Sequence, residues 1–214
     1  MNIAKEHILL AVIAAVVAVS VIILAVILKS RRRTGRPSTK KIATLAVMSA
    51  MSIVLMVLIR IPFPTAPFLE YDPADIPILI STFLFGPWWG LLMTAVVSII
   101  QGITVSASSG IIGIIMHFAA TGGFVLAAGL IYTKGKNLKR AIAALIVGAL
   151  VQTALMVLMN LVFTPLFMKT DIEIVVAMLI PTIIPFNLIK AGVNAIITFI
   201  VYKFVSKSVS ALFD

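Results

Sequence analysis

Near the C-terminus, Pro185-Phe186-Asn187-Leu188-Ile189-Lys190-Ala191-Gly192-Val193-Asn194 sets two asparagines and a lysine at i, i+3 and i+7 within an otherwise apolar segment. At helical periodicity these three side chains share one face. An ionisable group is costly in a lipid-buried helix, so this face is expected to turn toward a protein or water-filled interior and find a partner there. Lysine donates up to three hydrogen bonds and each asparagine both donates and accepts, an inventory suited to holding a small molecule. Snorkelling is the competing reading for Lys190. With a helix beginning near Pro185, at 1.5 Å per residue, the amine lies only about 7 to 8 Å deep and is within reach of headgroups.

Bond-breaking chemistry lacks residues. There is no G-x-x-x-x-G-K-[ST] phosphate loop and no H-E-x-x-H pair. Cysteine is absent, which excludes disulfides, thiol catalysis and cysteine metal sites, and two histidines, His7 and His117, do not make a multi-histidine metal site. No Asp or Glu falls within the expected body helices apart from Asp75 at a helix mouth, so acid–base or metal-assisted catalysis in the membrane is not expected.

The elements that position the polar face are membrane helices. Of 214 residues 62% are hydrophobic and 11% charged, with the apolar residues in long runs rather than alternating. A span needs about 20 apolar residues, and several stretches qualify or nearly so. The net charge of +10 is a topology signal more than a nucleic-acid footprint. Seven basic residues lie between Lys29 and Lys41 and four between Lys134 and Arg140, and Lys203 and Lys207 follow the last apolar run. Such segments stay cytoplasmic, with some contact to anionic headgroups, while the acid-bearing stretches Glu70 to Asp75 and Asp171 to Glu173 lie outside.

In chain order, residues 7 to 28 read as a retained N-terminal helix with its N-terminus outside, since neither the length nor the flanks suit a cleaved signal peptide. Residues 1–38 are therefore expected to form an extra transmembrane helix with a basic cytoplasmic linker, and 39–214 a six-helix substrate-binding membrane domain. The run from Ile42 to Ile59 carries Ala46 and Ala50, a small-xxx-small pair that permits close helix approach, either inside the bundle or to a partner. Four prolines between 62 and 73 forbid a regular helix and mark a long external loop, a lid or an ordered cap. Two cytoplasmic loops flank residues 42 to 132, so 76 to 103 must cross twice, turning at Phe85-Gly86-Pro87-Trp88-Trp89-Gly90. The first of those crossings, near ten residues, must be sheltered by neighbours. His117 reads either as a packed, hydrogen-bonded histidine or as a ligand contact. Asn160 is expected at the level of Asn187 and Lys190, near the outer mouth.

These residues resemble the riboflavin-binding S component of energy-coupling factor (ECF) vitamin transporters over about residues 40 to 205. The matching features are Ala46-Val-Met-Ser-Ala50, Thr65-Ala66-Pro67 with Phe68-Leu69-Glu70-Tyr71-Asp72-Pro73, Phe85-Gly86-Pro87, Met116-His117-Phe118, Asn160 near Thr164-Pro165, and Pro185 to Gly192. The resemblance implies an all-α polytopic membrane protein, a six-helix S-component body here preceded by one extra N-terminal transmembrane helix. It implies capture of riboflavin at the outer face of the cell membrane, with the C-terminus cytoplasmic. ATP-driven uptake would follow through a transmembrane coupling subunit and two cytoplasmic ATPase subunits. By motif match, Asn160, Asn187 and Lys190 would meet the polar edge of the isoalloxazine ring, with Thr65 and Ala66 contributing from the loop. Phe68, Tyr71, His117 and Asn194 are further candidate contacts, and Ala46 and Ala50 would face the coupling subunit. Riboflavin would be cargo and no cofactor is implied. An S component for another vitamin is the alternative within the class; a membrane-embedded enzyme or a scaffold is the alternative outside it.

Overall fold

The computed structural model describes residues 37–210. The first helix, α1 (Thr39–Leu58), opens on Ser38, whose Oγ accepts from the Lys41 backbone N–H at 3.3 Å and so satisfies one orphan donor of the first turn. A two-stranded antiparallel hairpin follows, β1 (Ile61–Phe63) and β2 (Ala66–Tyr71), pairing Ile61 with Tyr71 and Pro62 with Glu70. The long loop expected here thus contains a hairpin. Both strands of a two-stranded ribbon are edges, where a proline's missing N–H leaves no central ladder bond unmade.

Two short helices come next, α2 (Asp75–Phe85) and α3 (Pro87–Ile103). Gly86 separates them at φ 97°, a conformation that favours glycine, and Pro87 then starts α3 with a preset φ. At 11 residues α2 is far too short to cross a bilayer in contact with lipid. Its burial shows how it is sheltered: every residue from Asp75 to Phe83 is buried, and α2 packs against α1, α3, α4 and α7. Helix α3 comes close enough to α2 that a Cβ on Gly90 would sit 2.0 Å from Thr82 Oγ1.

Helices α4 (Gly110–Thr133) and α5 (Leu138–Met168) form the longest antiparallel pair, and α5 also packs on α7. Asn137 caps α5 through Oδ1, which accepts from the Arg140 N–H at 2.9 Å. The last apolar stretch begins as α6 (Ile172–Met178), widens through a π-helical turn at Leu179–Ile183, and continues as α7 (Ile184–Ser210). Pro185 has no N–H to give to residue 181, and the Ile184 N–H reaches back five residues to Leu179 O, so the widened turn accommodates the proline without ending the helix.

Counting α6, the π turn and α7 as one, the described residues hold six helices in total. Four are long and apolar enough to cross a membrane: Thr39–Leu58, Gly110–Thr133, Leu138–Met168 and Ile172–Phe204. The expectation of six helices plus one extra is corrected accordingly. The helix expected over residues 7 to 28 lies outside the described residues. The architecture is that of a polytopic helical membrane protein, with exposed apolar side chains such as Val47, Val54, Ile146 and Ile196 on the outside of the bundle.

Candidate functional site

A cavity of about 380 Å³ lies at the end of the bundle that carries the hairpin, within the range of roughly 300–1,000 Å³ usual for small-molecule sites. Helix α7 supplies Asn187 and Lys190, and α5 supplies Gln152, Met156, Asn160 and Thr164. Helix α4 adds Met116, His117 and Thr121, the hairpin adds Phe68, Leu69 and Glu70, and the α3–α4 connection adds Val105, Ser106, Ser108 and Ser109. Apolar walls therefore alternate with convergent polar groups.

The lysine has the partner that its burial demands. Lys190 Nζ donates to Asp72 Oδ2 at 2.7 Å, with both side chains almost fully buried. Removing one member of such a pair leaves an uncompensated charge, which costs about 3–5 kcal/mol. One turn further along α7, Asn194 Nδ2 donates to Asp72 O at 3.4 Å and to Asp75 Oδ2 at 3.3 Å, while its Oδ1 accepts from the Tyr71 hydroxyl at 3.1 Å. Two side chains of α7 thus grip the segment 71–75 that joins the hairpin to α2. Burial pushes the Tyr71 phenol above its ordinary 10.0, and the neighbouring Asp72 carboxylate pushes it further.

Asp75 is wholly buried at the start of α2 and collects donors from three helices: Thr121 Oγ1 at 2.9 Å, Gln152 Nε2 at 3.4 Å and Asn194 Nδ2. His117 Nε2 lies 3.6 Å from Asp75 Oδ1, and its Nδ1 is hydrogen-bonded to Ser98 Oγ at 2.7 Å. At the mouth, Arg60 bridges the hairpin and the α3–α4 connection by donating to Glu70 Oε2, to Val105 O and to Ser106 Oγ. Three buried polar atoms on lining residues lack a hydrogen-bond partner: Gln101 Oε1, His117 Nε2 and Gln152 Oε1. Groups of that kind are rare in native interiors and gather where function uses them.

Of the residues singled out in the sequence, Asn160, Asn187, Lys190, Phe68 and His117 come together on the cavity. Asn160 Nδ2 donates to Met156 O at 2.7 Å, and its Oδ1 accepts from Thr164 Oγ1 at 2.8 Å. Asn187 Nδ2 donates to Ile183 O at 2.8 Å, beside the π turn. Tyr71 and Asn194 are outside the lining and serve the network behind Lys190. Thr65 is exposed at the hairpin turn, and Ala66 is buried with Leu69, Val175, Ile183 and Phe186 in a small core under the hairpin; neither lines the cavity. Ala46 and Ala50 lie on the exposed face of α1. The roles of Asp72 and of the Arg60–Glu70 pair were not foreseen. The one advance signal was that a buried Lys190 requires a carboxylate, and the acids nearest a helix mouth were Glu70, Asp72 and Asp75.

Residues 40–202 match the family model for the substrate-specific component of ECF transporters. The chain is 31% identical over 186 residues to the riboflavin transporter RibU of Staphylococcus aureus, covering 82% of this chain and 95% of that protein. It is 26% identical over 175 residues to the riboflavin transporter FmnP of Bacillus subtilis, covering 76% and 90% respectively. A solved S component of a bacterial ECF transporter superposes with a TM-score of 0.69 at 30% identity, covering 79% of this chain and 97% of that one.

Proposed function

We propose, from the premise that this chain belongs to the family of substrate-specific components of ECF transporters, that its cavity captures riboflavin for uptake. It is a multi-pass membrane transport protein and not a catalytic enzyme. The observation that carries the riboflavin reading is the convergence of Lys190, Asn187 and Asn160 from two helices onto one cavity with apolar walls. A flat ring needs those walls, and its carbonyl and nitrogen edge needs donors that are otherwise hard to satisfy in an apolar site. Asp72 holds the Lys190 amine in the cavity instead of letting it reach toward headgroups. Such a site rejects ligands that leave its buried polar groups unpaired. Thr65 and Ala66 are expected to meet the ligand when the hairpin closes over it.

The basic connection at Lys134 to Arg140 and Lys203 at the end of the last span support a reading in which the far end faces the cytoplasm and the cavity opens outward. The family implies partner transmembrane and ATPase subunits, and the exposed Ala46 and Ala50 offer the close-approach surface on α1 for the transmembrane one. Bulky replacements there, Ala46→Leu with Ala50→Leu, are expected to abolish uptake by the assembled transporter and to leave ligand binding intact. Titration of the detergent-purified protein with riboflavin, read by quenching of flavin fluorescence, tests the substrate. Saturable quenching at or below micromolar ligand is expected; no quenching, with saturable binding of a different vitamin instead, would transfer the chain to that substrate.

A further inference from the structure

Both cations that line the cavity are already neutralised. Lys190 pairs with Asp72, and Arg60 pairs with Glu70. Arg60 and Lys190 against Glu70 and Asp72 give the described lining a formal charge of zero with His117 neutral. Lys190 and Asn187 line the cavity from α7 and Asn160 lines it from α5, whereas Arg60 donates to Ser106 Oγ of the α3–α4 connection, which also contributes Ser108 and Ser109 to the lining. Gln101, whose Oε1 is buried without a hydrogen-bond partner, is a further lining residue. Hydroxyls and an unused acceptor suit a polyhydroxyl tail. A guanidinium beside serine hydroxyls is, by itself, equipment for a phosphate. Here the guanidinium is committed: it donates to Glu70 Oε2, to Val105 O and to Ser106 Oγ.

We propose that Glu70 sets the charge of the ligand: by occupying Arg60 beside the α3–α4 connection, it withholds the cation that a phosphorylated tail would need and leaves the site selective for the neutral flavin. The inference rests on the riboflavin reading, with the ring edge on Lys190, Asn160 and Asn187 and the tail directed at the serines. A phosphate monoester brings a charge of about −1.5 to −2 at neutral pH. To find a counter-charge there it must displace the Glu70 carboxylate from Arg60, and that competition disfavours the phosphate ester.

The test is the ratio of dissociation constants for flavin mononucleotide and riboflavin, measured by fluorescence quenching at one ionic strength. Wild type is expected to disfavour the phosphate ester. In Glu70→Gln the ratio is expected to narrow by about tenfold or more, and Glu70→Ala, which removes the side chain instead of neutralising it in place, is expected to do likewise. Adding Arg60→Gln to Glu70→Gln should restore the wide ratio, because the released guanidinium is then gone. A cooperative unfolding transition in detergent in the same preparations reports that each variant is folded. A ratio unchanged in both single variants, a narrowing that survives loss of Arg60, or a wild type that takes both flavins equally overturns the proposal. A wild type that binds neither flavin overturns the riboflavin reading and this proposal with it.

Discussion

The two ends of the helical bundle are closed by different physics. At the hairpin end, charged side chains pair around a cavity of about 380 Å³, Lys190 with Asp72 across the bundle and Arg60 with Glu70 at the hairpin. At the far end the same helices meet in aromatic packing. Phe83 stacks on Tyr132 at 4.4 Å between centroids and meets Tyr202 edge-on at 5.2 Å, while the two tyrosine hydroxyls share a hydrogen bond of 2.9 Å. Lys41 Nζ sits 4.5 Å from the Trp89 ring centroid and ties α1 to the α2–α3 turn. One end keeps its polar groups apart to leave room for a guest, and the other excludes any guest by filling its volume. Stability and binding are therefore expected to separate along the length of the molecule.

The largest expected effect on stability without an effect on binding is at the filled end. Phe83 is 1% exposed, and Phe83→Ala should cost about 3–5 kcal/mol, read as a lowered unfolding midpoint in detergent, with riboflavin affinity little changed. A parallel loss of affinity would mean that the two ends are not separable. Next comes Lys190→Ala, which removes a charged donor worth about 1.5–3 kcal/mol and so lowers riboflavin affinity by roughly 10- to 150-fold. An unchanged dissociation constant would take Lys190 out of the site. The smallest effect concerns the grip of α7 on the hairpin. Because folding raises the Tyr71 phenol above 10.0, its contribution is complete below that value and is lost as pH climbs through the folded-state value. Tyr71→Phe should remove that alkaline loss from the stability profile, a difference visible only above about pH 10.

Hydropathy and charge placement were enough to anticipate the helical membrane class, the break at Gly86 and the need to shelter α2, because each follows from length, periodicity or loop charge. The asymmetry of the two ends was half legible. Asn187 and Lys190 announced a polar face through local spacing, but Asp72 stands 118 residues from Lys190, and no local pattern pairs them. Asp75 read as a residue at a helix mouth, yet it is wholly buried with three donors, since the hairpin and α4, α5 and α7 fold around it. The prolines at 62, 64, 67 and 73 argued against a helix, and the two that fall within strands, Pro62 and Pro67, are admitted because both strands of the ribbon are edges. The count of six helices plus one was corrected to six among the described residues. Tyr71 was named from the hairpin motif and Asn194 from its spacing on the face of Lys190, and their side chains meet each other and hold segment 71–75 against α7.

The most direct test of this account is an experimental structure of the protein with riboflavin bound. The expected result places the polar edge of the ring about 3 Å from Lys190 Nζ and within hydrogen-bond reach of Asn160 and Asn187, with Asp72 still paired to the lysine and the tail toward Ser106 and Ser109. Riboflavin bound outside this cavity, or in it with Lys190 turned away from the ring, would contradict it.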